Sequence, residues 1–387
     1  MQVDFTNVPV FITRAMQFLA FAVVAALPFD NAIFHLFSFL LLFAFVASLH
    51  WIGFGLVKQA LMAGKWVHIS FAAIWGIMLI SNALNAQSEE AWRTMLQFGP
   101  RYWLLFTIFS CLLHWRMTSE RAFFVAATLG LSLHFIPYVP AMVDLSIFDG
   151  RFQGMDRNPN TAGFKAAGLA MLSLYLAFYE GLAGRIRYPV AIFLGSMALI
   201  ALLASGNRGG WVAFFVSSGM FLVVIFPRHP RLIIAFAIAI GLIGALVFTN
   251  LESPARRLAK LLDGYSSHRI QVWQNAWNLF VEKPIFGHGL DVREELLTRK
   301  HIYHEHNIFV SVLTAMGAAG LIAYSVMLAS IARLGLQFKN HFALLMMLMM
   351  LIVGMFAYDF YRSQLFLAHF VILAAVAAHQ RAPAPAR

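Results

Sequence analysis

The chain has 387 residues, 61% of them hydrophobic and 12% charged, with 38 Phe and a mean hydropathy of +0.74. Soluble domains run near 45 to 50% apolar and about 25% charged. This composition, with apolar runs of about 20 residues recurring along the chain, describes a polytopic membrane protein and excludes soluble enzyme folds, nucleic-acid modules and disulfide scaffolds. The net charge of +11 must be read by position, because Lys and Arg here mark inner loops, anionic headgroups or an anionic substrate.

In chain order, apolar stretches predict spans at 15–28, 32–52, 66–84, 102–115, 122–143, 166–182, 188–204, 210–226, 232–249, 307–332, 341–357 and 364–379. That is an all-α fold of about 12 transmembrane helices. The first run lacks a small-residue cleavage site and reads as a retained signal anchor. Trp51, Trp66, Trp103, Trp115 and Trp211 fall at predicted boundaries, where an amphipathic indole prefers to lie. The single cysteine, Cys111, sits inside an apolar run, so disulfides within the chain and cysteine zinc sites are excluded. The expected organisation is nine spans over 1–249, one long loop over 250–306 with amphipathic helices, and three spans with a short tail over 307–387. The tail from His379 alternates Ala and Pro and is expected to be disordered. With both termini cytoplasmic, every short inner turn carries Lys or Arg, among them Lys58, Lys65, Arg116, Arg121, Arg185, Arg187, Arg228 and Arg231, and basic residues are denser inside than outside. The long loop then faces the periplasm.

Ionisable groups are scarce near the span midpoints; Lys165 and Glu180 lie near span ends. That counts against an ion-coupled transporter, which needs charges paired at mid-bilayer. Polar residues collect instead on the outer face, at Gly150 to Asn160, at Ser205 to Gly210, in the long loop, and at Tyr358 to Arg362. Arg151, Arg157, Arg208, Arg269 and Arg362 lie there against the topological bias. From Arg269, the residues Ile270, Trp273, Trp277 and Phe280 repeat at helical spacing opposite Gln271, Gln274, Asn275 and Asn278. They predict a helix lying on the membrane surface, capped by Ser266 or Ser267 and ended by Pro284, Gly287 and Gly289. Arg269 at its start opposes the helix dipole and suggests an anion nearby.

Three readings compete for His301, His304, Glu305, His306 and Asn307. A metal site has His304 and His306 close in sequence but no HExxH, no Cys and no Asp-x-Asp to support it. A structural role would satisfy the imidazoles and Asn307 at headgroup level. A general-base His would take a proton from a hydroxyl substrate near neutrality. The arginines either meet headgroups and loop carboxylates or, as a group, bind pyrophosphate, whose oxygens suit planar guanidinium forks.

At these residues the sequence resembles the O-antigen ligase family, the Wzy_C-type membrane glycosyltransferases. The resemblance rests on Asn158-Pro159-Asn160, on Ser205 to Arg208, on Arg269 with Trp273, Pro284, Gly287 and Gly289, and on His304-Glu305-His306-Asn307 followed by Gly317 and Gly320. It implies transfer of a polysaccharide from undecaprenyl pyrophosphate to a hydroxyl of the lipid A core, at the periplasmic face of a bacterial inner membrane. The implied fold is GT-C-like and the implied reaction inverting, with no metal and no cofactor. The implied partners are the lipid-linked O-antigen donor, the lipid A core acceptor and membrane lipids. His306 is then the base, with His304 as its alternative, and Arg208 and Arg269 hold the pyrophosphate. Arg151, Arg157, Asn158, Asn160, His304, Asn307 and Arg362 are candidates for substrate binding. Polymerases and protein O-oligosaccharyltransferases share the motifs; the modest length, without a C-terminal periplasmic domain, leads us to expect the ligase. A lipid-linked-sugar flippase would instead need a polar path through the midplane.

Overall fold

Hydrocarbon offers the backbone no hydrogen-bond partner, so runs rich in Leu, Phe, Ala and Met satisfy their peptide groups by coiling. The computed structural model describes residues 8–29, 31–85, 88–178, 184–225, 230–231, 234–235, 237–238, 269–290, 306–356 and 364–378. Among them there is no strand, and the protein is an all-α polytopic membrane protein. The helices are α1 (Val10–Ala26), α2 (Asn31–Ile52), α3 (Phe54–Ala63), α4 (Lys65–Asn85), α5 (Glu89–His114), α6 (Glu120–Phe135), α7 (Val139–Val143), α8 (Pro159–Phe178), α9 (Arg187–Ser205), α10 (Arg208–Ile225), α11 (Arg269–Glu282), α12 (Ile308–Gln337), α13 (His341–Phe356) and α14 (Gln364–Ala378).

Among the described residues six helical stretches are long and apolar enough to cross a membrane, with four shorter apolar helices beside them. The expected span at 232–249 lies mostly outside the described residues. Elsewhere the boundaries move for local reasons. Gly53, at φ 76°, ends α2 and lets α3 begin where a loop was expected. Ser88 accepts the Ala91 amide at 3.1 Å, and Glu89 and Glu90 complement the dipole, so α5 starts well before the expected 102.

Two compact units make up the chain. In the first, residues 1–130 and 271–387, α1 packs on α2, α4 on α12, and α5 on α14, around a core that includes Phe106, Phe109 and Tyr324. In the second, residues 131–270, α8 packs along α9 and against α10. Its buried Ala162, Gly163, Ala166, Ala167, Gly168 and Ala170 let neighbouring helices approach closely.

The first unit contains a backbone lock. Gly317 breaks α12 at φ 63°, ψ −163°, a conformation reserved for glycine. The turn after α11 docks into that break. The Gly289 and His288 amides donate to Ala315 and Thr314 carbonyls at 2.9 Å each, and the Ala318 and Ala319 amides donate to Pro284 and Ile285 carbonyls at 2.8 and 3.1 Å. A Cβ on Gly287 would meet the Thr314 oxygen at 2.6 Å, and one on Gly317 would collide with the Ile285 carbonyl. α4 braces the same turn. Ser81 donates to the Ala315 carbonyl at 2.7 Å, Asn85 to that of Gly287 at 2.9 Å, and Asn82 Oδ1 accepts the Leu290 amide at 2.9 Å.

Candidate functional site

In the second unit, the segment before α8 and the α9–α10 connection form one polar network. Asn158 caps α8, its Oδ1 accepting the Asn160 amide at 2.9 Å, with Pro159 as the first helical residue. Gly206, at φ 60°, ends α9. One residue on, Asn207 caps α10 by accepting the Gly210 amide at 3.1 Å. The two caps are tied together, because Asn207 Nδ2 donates to the Asn160 carbonyl at 2.6 Å. Arg151 spans both segments, donating from Nε to the Ser205 carbonyl at 3.0 Å and from an Nη to Asn160 Oδ1 at 3.1 Å. The Phe152 amide donates a further hydrogen bond to the Ala204 carbonyl at 3.1 Å. Gly163 makes this closeness possible, since a Cβ there would collide with Asn207 and meet Ser205 Oγ at 2.5 Å.

The network therefore brings Arg151, Asn158, Asn160 and the opening of α10 together. Arg208 is the first residue of α10 and half-buried; Arg151, Arg157 and Asn158 are exposed. Arg157 adopts φ 53°, a left-handed conformation uncommon for a non-glycine residue. Behind it lies a charged cluster that the sequence did not reveal as a unit. Asp156 holds Lys165 Nζ at 2.5 Å and lies 3.4 Å from His134 Nε2, whose side chain is fully buried. Burial alone would raise the Asp156 carboxyl. The His134 contact and the Lys165 ammonium outweigh it, so the group titrates below the usual carboxylate range. Lys165 was visible as a lone charge near a span end; its partner Asp156 sits 9 residues before it and the His134 that Asp156 also meets a further 22, so the three come from separate elements, beyond any spacing signal.

In the first unit, Asn307 is buried and caps α12, its Oδ1 accepting the Phe309 and Val310 amides at 2.9 and 3.3 Å. His306 precedes it, half-buried and left-handed at φ 51°. The amphipathic helix expected from Arg269 is present as α11. Val272, Ala276 and Leu279 are buried and Trp273, Trp277 and Val281 are exposed, so the Trp stripe expected to lie on the membrane surface is on the open side of the helix. His288 is buried beyond its end, with Nε2 on the Leu279 carbonyl at 2.7 Å. Pro284, Gly287, Gly289 and Gly317 belong to the backbone lock. Sequence reading missed Ser81, Asn82 and Asn85, whose bonds to the two sides of that lock join residues more than 190 positions apart. The side chain of Arg269, the cap candidates Ser266 and Ser267, the residues His301, His304, Glu305, Tyr358, Asp359, Arg362 and Glu180, and the tail from His379 lie outside the described residues.

Residues 191–325, from α9 into α12, match the family model Wzy_C, described as O-antigen ligase. The match supports the O-antigen ligase family. The Wzy_C region includes Asn207 and Arg208 at the start of α10, Arg269, the turn from Pro284 to Gly289, and His306 with Asn307. It supports a ligase-type or polymerase-like function in general terms. No curated protein matches the chain significantly.

Proposed function

We propose that the protein is an O-antigen ligase, moving a polysaccharide from undecaprenyl pyrophosphate to a hydroxyl of the lipid A core at the periplasmic face of the bacterial inner membrane. The observation that carries this reading is the arginine and asparagine network of the second unit, at the mouth of an otherwise apolar helix pair and leading into the Wzy_C region. Arg151 is held by two bonds and Arg208 opens α10, so guanidinium charge and the helix dipole serve the same anion. The His306 imidazole takes the acceptor proton. The acceptor oxygen bonds to the anomeric carbon from the face opposite the diphosphate, the bond from that carbon to the diphosphate oxygen breaks, and the lipid diphosphate leaves with the electron pair. Arg208 and Arg269 stabilise its growing charge. No metal and no cofactor enter the scheme, and a GT-C-like arrangement suits it.

Deletion of the gene followed by electrophoresis of lipopolysaccharide tests the reading. The expected result is core without polymer, with lipid-linked polymer accumulating. Core capped by a single repeat unit identifies a polymerase instead, and unchanged lipopolysaccharide with loss of protein glycans identifies an O-oligosaccharyltransferase.

A further inference from the structure

A serine inside a membrane helix ordinarily donates its hydroxyl proton to a carbonyl one turn back, and Ser38 and Ser48 of α2 and Ser70 of α4 do so. Ser81, near the other end of α4, reaches across instead. It is fully buried, and its Oγ donates to the Ala315 carbonyl, 234 positions away. Asn82, equally buried, accepts the Leu290 amide at 2.9 Å and donates from Nδ2 to the Ala91 carbonyl of α5 at 3.2 Å. Asn85 donates to the Gly287 carbonyl, and its Oδ1 accepts from Lys283 Nζ at 2.7 Å. These bonds hold one half of α12. Gly317 divides that helix into 308–316 and 318–337, and at the division the ladder is rerouted: the amides of 318 and 319 turn to the segment after α11, and the carbonyls of 314 and 315 accept from it. The half-helix 308–316 has Asn307 as its cap and His306 just ahead of it. Its direction is therefore set at the lock. From Ala315 to Asn307 is about 12 Å of helix, so a tilt of about 10° at the lock moves that end by about 2 Å.

We propose that Ser81, Asn82 and Asn85 of α4 are positioning residues for the transfer reaction, aiming the half-helix that begins beside His306; this rests on the reading of His306 as the base. A general base must lie within hydrogen-bond reach of the hydroxyl it serves, and a displacement of about 1 Å can lower a rate about 10²-fold. Elsewhere α4 buries apolar side chains, Phe71, Ile74 and Met78 among them. Such contacts hold two helices together without fixing their angle, whereas hydrogen bonds are directional. Ser81 bonds the half-helix itself, while Asn82 and Asn85 bond the turn docked into the break, so α4 grips both sides of the joint.

Transfer from undecaprenyl-pyrophosphate-linked polysaccharide by the purified protein in proteoliposomes tests this, with lipid A core, a lipid-linked repeat unit and a protein hydroxyl offered in turn as acceptor. The acceptor that the wild type uses decides the ligase reading; the variants are compared with wild type on that acceptor, and their ratio decides the role of α4. Asn82→Ala should lower kcat about 10²-fold and Ser81→Ala, which removes one oxygen, about tenfold, with KM unchanged. Asn82→Asp, which keeps an oxygen for the Leu290 amide, should recover most of the loss. In a His306→Ala background either alanine change should cost little more, because the group being aimed is already gone. Where Asn82→Ala does not insert, Ser81→Ala carries the same test. Full kcat in a folded Asn82→Ala or Ser81→Ala variant overturns the assignment. So does a loss that multiplies undiminished onto His306→Ala, the result expected from fewer folded molecules. A wild type that transfers to none of the three acceptors overturns the ligase reading and this one with it.

Discussion

His306 carries two properties that separate cleanly by substitution. Its left-handed backbone is a conformational demand that Asn and Gly meet readily, while its imidazole is a chemical one that neither can meet. If it is the base, His306→Asn and His306→Ala should both lower transfer by roughly 10² to 10⁴-fold with insertion and donor binding retained. Recovery in the Asn variant alone, measured by transfer in proteoliposomes, would assign His306 to backbone geometry. Arg208 poses the related question of charge against shape. Arg208→Lys keeps the charge but loses the planar two-pronged contact, so transfer should fall while the melting temperature holds, and a residue that only meets headgroups would tolerate the change. Asp156 acts one step further back, fixing the segment that carries Arg151 and Arg157. Its folded carboxyl titrates below its unfolded value of about 3.9, so its stabilisation is complete above that pH and is lost as pH falls through the lower folded value. Asp156→Asn takes the carboxylate away from the Lys165 ammonium, which is mostly buried, and should lower stability by roughly 2 kcal/mol at neutral pH. Thermal melts from pH 7 down to pH 3 should show wild type converging on the variant only at the acid end.

At the scale of elements, α12 and the turn after α11 depend on each other through Gly317 and Gly287. Gly317→Ala places a Cβ on the Ile285 carbonyl in a backbone region that only glycine occupies, costing about 1 to 3 kcal/mol from the torsion alone. Limited proteolysis should then cut near residues 284–289 in the variant and spare the wild type. Gly317→Ala with unchanged protection would remove the lock from the account. The two halves of this device were unequally legible. Pro284, Gly287 and Gly289 read as a turn, because turn chemistry is local. Gly317 read only as part of a motif inside an apolar run, since its torsion answers a carbonyl 32 positions away. The same divide runs through the rest of the molecule. Continuous apolar stretches located α2, α4, α8, α9 and α12 because lipid enforces them, while the Glu89 start of α5 was hidden by polar residues that suited a loop equally well. Arg151, Asn158, Asn160 and Arg208 were legible as a group because polar and basic residues that gather at span ends stand out in a chain so apolar. His134 and Asp156, which fix that segment, were not, because their pairing exists only after the turn before α8 folds against the end of α6.

For the whole molecule, orientation links these networks to a compartment. In a Cys111→Ala background, Cys at exposed Asp149 should react with a membrane-impermeant thiol reagent applied from the periplasm, and Cys at Gly184, beyond the other end of α8, should not. The reverse pattern would turn the arginine network to the cytoplasm and end the ligase reading. The lock at Gly317 also bears on how the chain is made. When α12 enters the bilayer its broken ladder presents carbonyls at Thr314 and Ala315 that hydrocarbon cannot satisfy, at several kcal/mol for each group left unmet. Their partners, the amides of residues 288 and 289 and the hydroxyl of Ser81, all precede α12 in the chain and leave the ribosome first. Synthesis from the N-terminus thus delivers the receptor before the helix that needs it, whereas a circular permutant that makes α12 first would have to hold the Ala315 carbonyl bare until α4 arrived and the Thr314 carbonyl until the turn after α11 was made.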